Sequence, residues 1–342
     1  MNWPDRQLRA RQLRGRHLVI GVATAVIAGA AMITGIGRLA GFTEMGDALS
    51  DAEFGWLALC VVGQVLVFAG YGGALRSTIR ADDGPQIPVG LSIRVVLASF
   101  AATQVFAFGG VGGLAVVYWV LRRFDHDRDD AAVRLIGLNT AVYLVFGTVA
   151  WCAAAAALLT GDAPLGMTVP WLAGFPVILV AARWFTAGAR VGRWTQPRPG
   201  LLRRGLATGV GAALWVRHRL GDRDRRMLFG WAACYWAGDL VSLWAALRAF
   251  GAQPGVIAVT AAYTTGYLVQ SLPIPLIATA GVDSATTFLL HVVGVPLDLA
   301  LLGVVAHRVF AFWLPVVPGS VLALTLPHIV ARPDFALADA ND

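Results

Sequence analysis

Leu91–Leu121 reads LSIRVVLASFAATQVFAFGGVGGLAVVYWVL. It is apolar almost throughout, yet longer than the about 20 residues that one helix needs to cross a bilayer core. Gly109-Gly110-Val111-Gly112-Gly113 interrupts it near its middle, and glycine tolerates the positive φ of a tight reversal. Both flanks are basic, with Arg76 and Arg80 ahead and Arg122, Arg123, Arg128 and Arg134 behind. Basic flanks stay cytoplasmic, so an odd number of crossings is disfavoured. The predicted element is a broken, re-entrant hairpin entering from the cytoplasm. Such backbone persists at membrane depth only when buried in protein or lining a cavity.

The rest of the chain supports a membrane reading. Hydrophobic residues make up 57% and charged residues 14%, with a mean hydropathy of +0.67; soluble domains carry roughly 25% charged residues. Runs such as Ala131–Leu159 lack the ~10-residue alternation of membrane β-strands. The net charge of +7 resides in arginines between apolar runs, and there is no Lys. That distribution fits cytoplasmic loops and anionic headgroups rather than nucleic acid. Cys60, Cys152 and Cys234 lie within apolar runs, as packing residues rather than a disulfide framework.

The other apolar segments are Leu18–Gly37, Phe54–Leu75, Leu135–Thr160, Val169–Ala187, Met227–Phe250, Val256–Leu290 and Val295–Val330. Val256–Leu290 is again too long for one span and is broken by Leu272-Pro273-Ile274-Pro275, but its flanks carry no Arg. It reads as a second hairpin, entered from outside. Val295–Val330 holds Pro315-x-x-Pro318-Gly319 and reads as one kinked span or two short ones. The expected fold is an all-α polytopic membrane protein with about six to eight transmembrane helices. Two re-entrant broken hairpins form an inverted repeat, a transporter design.

The expected organisation is a basic cytoplasmic N-terminus (1–17) and a transmembrane domain (18–331). The half-repeats span about 54–187 and 227–331, joined by a basic cytoplasmic linker (188–226), and a polar tail (332–342) follows. Within the linker, Leu201–Leu220 mixes apolar and basic residues and reads as an interfacial helix or a solvated loop. The arginine bias places the N-terminus inside and the protein in the cytoplasmic membrane.

Ionisable residues inside apolar helices carry a functional hypothesis by default. Asp239 and His307-Arg308 are the deepest; Asp283 and His291 lie in the second half of the outer hairpin, and Arg94 lies early in the inner one. Asp239 and Arg308 can form a structural ion pair; an unpaired Arg308 facing a cavity would instead bind phosphate. Gln104 and Gln270 precede the two breaks, as headgroup contacts or as glue between helices. Gly109, Gly110, Gly112 and Gly113 lack the Lys-Ser/Thr of a P-loop. They form either a hairpin tip with close packing or a ring of amides around an anion. Asp125-His126-Asp127 and Arg128-Asp129-Asp130 read as a solvated cytoplasmic turn rather than a metal site. No nucleophile constellation stands out, and no catalytic residue, cofactor or metal is implied.

One element is more specific. Ser271-Leu-Pro-Ile-Pro275, Gly281-Val-Asp283, Leu290-His-Val-Val-Gly-Val-Pro296 and Arg308-Val-Phe-Ala-Phe-Trp-Leu-Pro315 resemble the flippase-like transmembrane region of lysylphosphatidylglycerol synthases, the multiple peptide resistance factor family. Members usually show Pro-Gly-Gly-Leu-Gly and then Glu at the outer hairpin. This chain has Pro275-Leu-Ile-Ala-Thr-Ala-Gly-Val-Asp283, and His307 stands where Tyr is usual, which implies a divergent member. In full synthases a soluble aminoacyltransferase domain follows, whereas here Val330 is followed by a short polar tail. The resemblance therefore implies no lysyl-lipid synthesis by this polypeptide. It implies translocation or positioning of an anionic phospholipid or polyprenyl-phosphate-linked substrate. The alternative is an accessory subunit of a glycosyltransferase or lipid-modifying enzyme. A membrane-embedded transferase is disfavoured by the small outer loops.

Overall fold

The computed structural model describes residues 52–81, 84–105, 111–124, 126–187, 201–221, 226–268 and 277–330. The predicted span Leu18–Gly37 lies outside them, as do Gln104 beyond its backbone, Gly109, Gly110 and Gln270. The described elements are α1 (Phe54–Ile79), α2 (Val89–Val105), α3 (Val111–Arg123), α4 (Arg128–Thr160), α5 (Leu165–Phe185), α6 (Leu201–Gly221), α7 (Met227–Ala249), α8 (Val256–Tyr267), α9 (Ile277–Val292) and α10 (Leu297–Arg308). A π-helical turn (Val309–Trp313) then leads into α11 (Leu314–Val330). All are helical, as expected for chain that must satisfy its own backbone in lipid. By length and composition, α1, α4, α5 and the continuous Leu297–Ala323 can cross a membrane.

The last segment is one irregular helix rather than two short ones. Pro315 lacks the N–H that would bond one turn back, and the helix widens just before it, with the Leu314 amide bonded to the Val309 carbonyl. Arg128-Asp129-Asp130 is not a solvated turn: these residues begin α4, where Asp129 and Asp130 complement the helix dipole. Buried Arg134, one turn on, donates to Asp130 (2.6 Å) and to the Thr78 (3.1 Å) and Ala81 (2.9 Å) carbonyls at the end of α1. It thereby satisfies acceptors that a helix end leaves free. Leu201–Gly221 is helical, and Val210, Ala212 and Val216 are buried. It packs on α4 through Val133–Gly211 and Gly137–Trp215 contacts.

The two halves meet along α1 and α7, the most extensive helix pair. The pair is antiparallel: the Glu53 amide bonds the Ala249 carbonyl, while Gly70 and Gly73 lie against Trp231 and Tyr235. A β-carbon on Gly63 would sit 2.6 Å from the Gly238 carbonyl oxygen, and one on Gly238 would sit 2.5 Å from that of Gly63. Small residues let the backbones approach this closely, as membrane helix pairs require when hydrophobicity cannot drive association.

Contacts around this seam repeat between the halves. Of the helix pair α2–α3, α2 packs against α11 of the second half, and of the pair α8–α9, α8 packs against α4 of the first. Each hairpin also closes on a glycine. Ser99 donates to the Gly113 carbonyl (3.0 Å), and Gly266 leaves no room for a β-carbon beside Thr286.

The seam makes a direct prediction. Gly238→Ala must force the helices apart, and overpacking of this kind costs about 1–3 kcal/mol. Gly230, on the same helix, has open space at its β-carbon position. Thermal unfolding in detergent should show a lowered midpoint for Gly238→Ala and an unchanged or raised one for Gly230→Ala.

Candidate functional site

Asp239 stands twelve residues into the 23-residue α7, about 18 Å along it and so near its middle. It borders a cavity of about 220 Å³ between the two halves. Gln64, Phe68 and Tyr71 come from α1, and Ser99 and Thr103 from α2. Tyr263 and Tyr267 come from α8, Asp283 and Thr286 from α9, and His307 and Arg308 from the end of α10. Four of the chain's six tyrosines, Tyr71, Tyr235, Tyr263 and Tyr267, line this space. Their rings pack together and onto Trp236 and Phe146, with Tyr235–Trp236 centroids 4.8 Å apart and Phe146–Trp236 4.4 Å apart. The wall is thus rigid and aromatic, with polar edges.

Arg308 does not pair with Asp239. Its Nε donates to Asp283 Oδ2 at 2.8 Å and its Nη2 to Asp283 Oδ1, a bidentate fork. Side-chain exposures of 21% and 16% mark a pair that is neither sealed in the core nor free in solvent. Nη1 of Arg308 makes no hydrogen bond among the described residues. Burial without a partner disfavours a charge strongly, and the planar guanidinium suits a planar carboxylate better than an ammonium would. Asp283 is the better placed of the two acids because it approaches the fork edge-on from α9.

Asp239 is held instead by neutral donors. Tyr263 donates its hydroxyl to Oδ2, and Gln64 donates Nε2–H to Oδ1 at 3.3 Å. Nε2 of His307 lies 3.5 Å from Oδ1, and its Nδ1 lies 3.2 Å from the Ser242 hydroxyl. Ser242, His307 and Asp239 therefore line up like a nucleophile, base and acid. Ser242, however, is 0% exposed and absent from the cavity wall. It is wedged into the helix seam, where a β-carbon on Gly63 would approach its own to 2.9 Å. No substrate carbonyl reaches that hydroxyl, so the row positions the Asp239 carboxylate rather than a nucleophile.

Of the residues expected from the sequence, Asp239, Asp283, His307 and Arg308 meet around one cavity. Arg94 is exposed on α2 and stands outside it. Gly112 and Gly113 are buried at the start of α3, and Gly113 serves close packing. His291 closes the end of α9, its Nδ1 3.1 Å from the Val295 carbonyl. Gln64, Ser99, Thr103 and the four tyrosines escaped sequence reasoning. A cluster of the few tyrosines inside apolar helices was the available signal. Among the described residues, no group of three His, Cys, Asp or Glu side chains is arranged to hold a metal.

Deleting only the Tyr263 hydroxyl leaves Asp239 short of a donor. Removing one partner of a buried hydrogen bond costs about 1–3 kcal/mol. Tyr263→Phe is expected to lower the unfolding midpoint in detergent; an unchanged midpoint would show that Asp239 does not depend on this bond.

Comparison with known proteins adds one finding. A family model described as the lysylphosphatidylglycerol synthase TM region matches residues 19–319, which include every element from α1 to α10. No curated protein matches the chain.

Proposed function

Because the chain belongs to the lysylphosphatidylglycerol synthase transmembrane-region family, we propose that it translocates or positions an anionic lipid across the cytoplasmic membrane, with Arg308 as the headgroup contact. Membership makes it a multi-pass membrane protein related to lipid modification or translocation. The lipid class and the direct role of Arg308 are this reading's own. The observation that carries it is a guanidinium held bidentately by Asp283 in the wall of a cavity between the two halves. Buried arginine is expensive in a membrane and marks substrate paths. Its fork matches phosphate as well as carboxylate.

The cavity volume, about 220 Å³, equals that of roughly seven liquid waters at ~30 Å³ each. That is room for a phosphodiester headgroup but not for two acyl chains, which would remain in the surrounding lipid. The hairpins supply the gates. Their arms have 17 and 13 residues in one and 12 and 16 in the other, about 18–25 Å at 1.5 Å per residue. Each is shorter than the ~30 Å core, which supports the re-entrant reading on both sides. The arginine asymmetry sets the N-terminus inside, and the basic segment around α6 faces anionic headgroups of the inner leaflet. Ser242, the one hydroxyl aligned with His307 and Asp239 among the described residues, is sealed in the helix seam away from the cavity, which favours a carrier over an enzyme.

The test is lipid scrambling by the purified chain in proteoliposomes, using fluorescent phosphatidylglycerol, its lysyl form and a polyprenyl-phosphate sugar. Wild type should translocate at least one of them. Arg308→Ala should lower that rate more than tenfold, about 1.4 kcal/mol of lost stabilisation, while a correctly folded Arg94→Ala stays near wild type. Folded protein that moves none of these lipids would point to an accessory subunit of a lipid-modifying enzyme instead.

A further inference from the structure

Asp283 occupies the part of Arg308 that a lipid phosphate would need. The carboxylate uses Nε and Nη2, the geometry in which a guanidinium also grips a phosphodiester. Two anions cannot share that edge, since like charges in so confined a site repel strongly. Resting on the reading of Arg308 as the headgroup contact, we propose that Asp283 is an internal stand-in for the substrate phosphate, and that headgroup binding displaces it and loads it with one proton.

The charge balance leads there. In the empty site Arg308 carries +1 and Asp283 −1. A phosphodiester brings −1 to Arg308, and the displaced carboxylate would be left uncompensated inside the membrane. Among the described residues, the titratable groups that line the cavity with Asp283 offer it no second cation: Tyr263 and Tyr267 from α8, Tyr235 and Asp239 from α7, Tyr71 from α1, and His307 beside Arg308. His307 is committed to Asp239 and Ser242, and Asp239 is itself acidic. The displaced carboxylate therefore takes a proton from water to become the neutral acid, and returns it when the phosphate leaves and the fork closes again. The site keeps the same net charge throughout, so each anionic headgroup moves together with one proton. The resulting step is electroneutral, and a proton gradient can drive it.

Linkage makes this measurable. Wherever empty Asp283 is ionised and lipid-bound Asp283 is protonated, apparent affinity falls about tenfold for each unit rise in pH. Calorimetric titration of the full chain in detergent, in two buffers of different ionisation enthalpy, counts the protons taken up. The probes are dioctanoyl phosphatidylglycerol and its acyl-free headgroup, glycerophosphoglycerol, whose phosphodiester does not titrate near neutrality. Wild type should take up about one proton per phosphatidylglycerol bound. Asp283→Asn, with Arg308 permanently available, should bind at least as tightly, with no proton uptake and no pH slope. Asp283→Glu should restore uptake. His291→Gln, which alters a titratable group on the same helix but outside the cavity, should leave it intact.

Phosphatidylglycerol binding without proton uptake in wild type overturns the exchange, whether or not the Asp283 variants fold. Uptake that persists in folded Asp283→Asn overturns it equally. No binding of either probe to folded wild type defeats the anion-site reading itself. Proton-linked binding of glycerophosphoglycerol alone would keep the exchange and replace the lipid by a soluble phosphodiester.

Discussion

Everything in this structure is arranged around charges that cannot stand alone at membrane depth. Arg308 and Asp283 satisfy each other across α9 and α10, and Asp239 draws on Tyr263, Gln64 and His307. A lone charge in hydrocarbon is heavily penalised, so these partners must be delivered together by five helices from both halves. That requirement ties the halves into one unit and leaves between them an aromatic-walled cavity with polar edges. A site built to compensate charge is also one that an incoming charged headgroup can reorganise.

Close backbone contact at the seam makes such delivery precise. Where Gly63 meets Gly238, the carbonyls of α1 and α7 lie within reach of each other's missing side chains. Gln64 and Asp239, each the next residue along, are thereby brought within hydrogen-bonding distance. Seam and site are adjacent turns of the same two helices. The π turn after Arg308 adds a second irregularity at the cavity edge, with Ala311 on its wall. Such turns often occur at functional sites. Pro315 accounts for this one without further assumptions.

Much of the fold was legible because bilayer thickness is a hard ruler. Leu91–Leu121 and Val256–Leu290 exceed one span, and both contain breakers; both break into helix pairs. Asp239, His307 and Arg308 were legible as the deepest ionisable residues because a charge in lipid is costly, whereas Asp283 stood no further forward than His291, which lies outside the cavity. The pairing among these residues was not legible. Whether Arg308 meets Asp239 or Asp283 depends on the rotation and tilt of helices distant in sequence, which hydropathy does not encode. Arg94 resembled the others in sequence, yet its place on the exposed side of α2 removes it from the cavity. The tyrosines were missed because one tyrosine in an apolar helix reads as packing; only their convergence from three helices makes a lining. Arg128–Asp130 misled for the opposite reason, since dense charge suggests a loop although acids suit a helix start.

A carrier built this way must admit a headgroup between the halves beside Arg308. The most direct measurement is photo-crosslinking with phosphatidylglycerol carrying a diazirine on its headgroup, in native-like vesicles, with adducts mapped by mass spectrometry. Adducts are expected on the cavity-lining stretches of α7, α8 and α10 and should disappear in Arg308→Ala. Adducts confined to exposed apolar positions such as Val177 and Val180 of α5, unaltered by that substitution, would contradict headgroup entry beside Arg308.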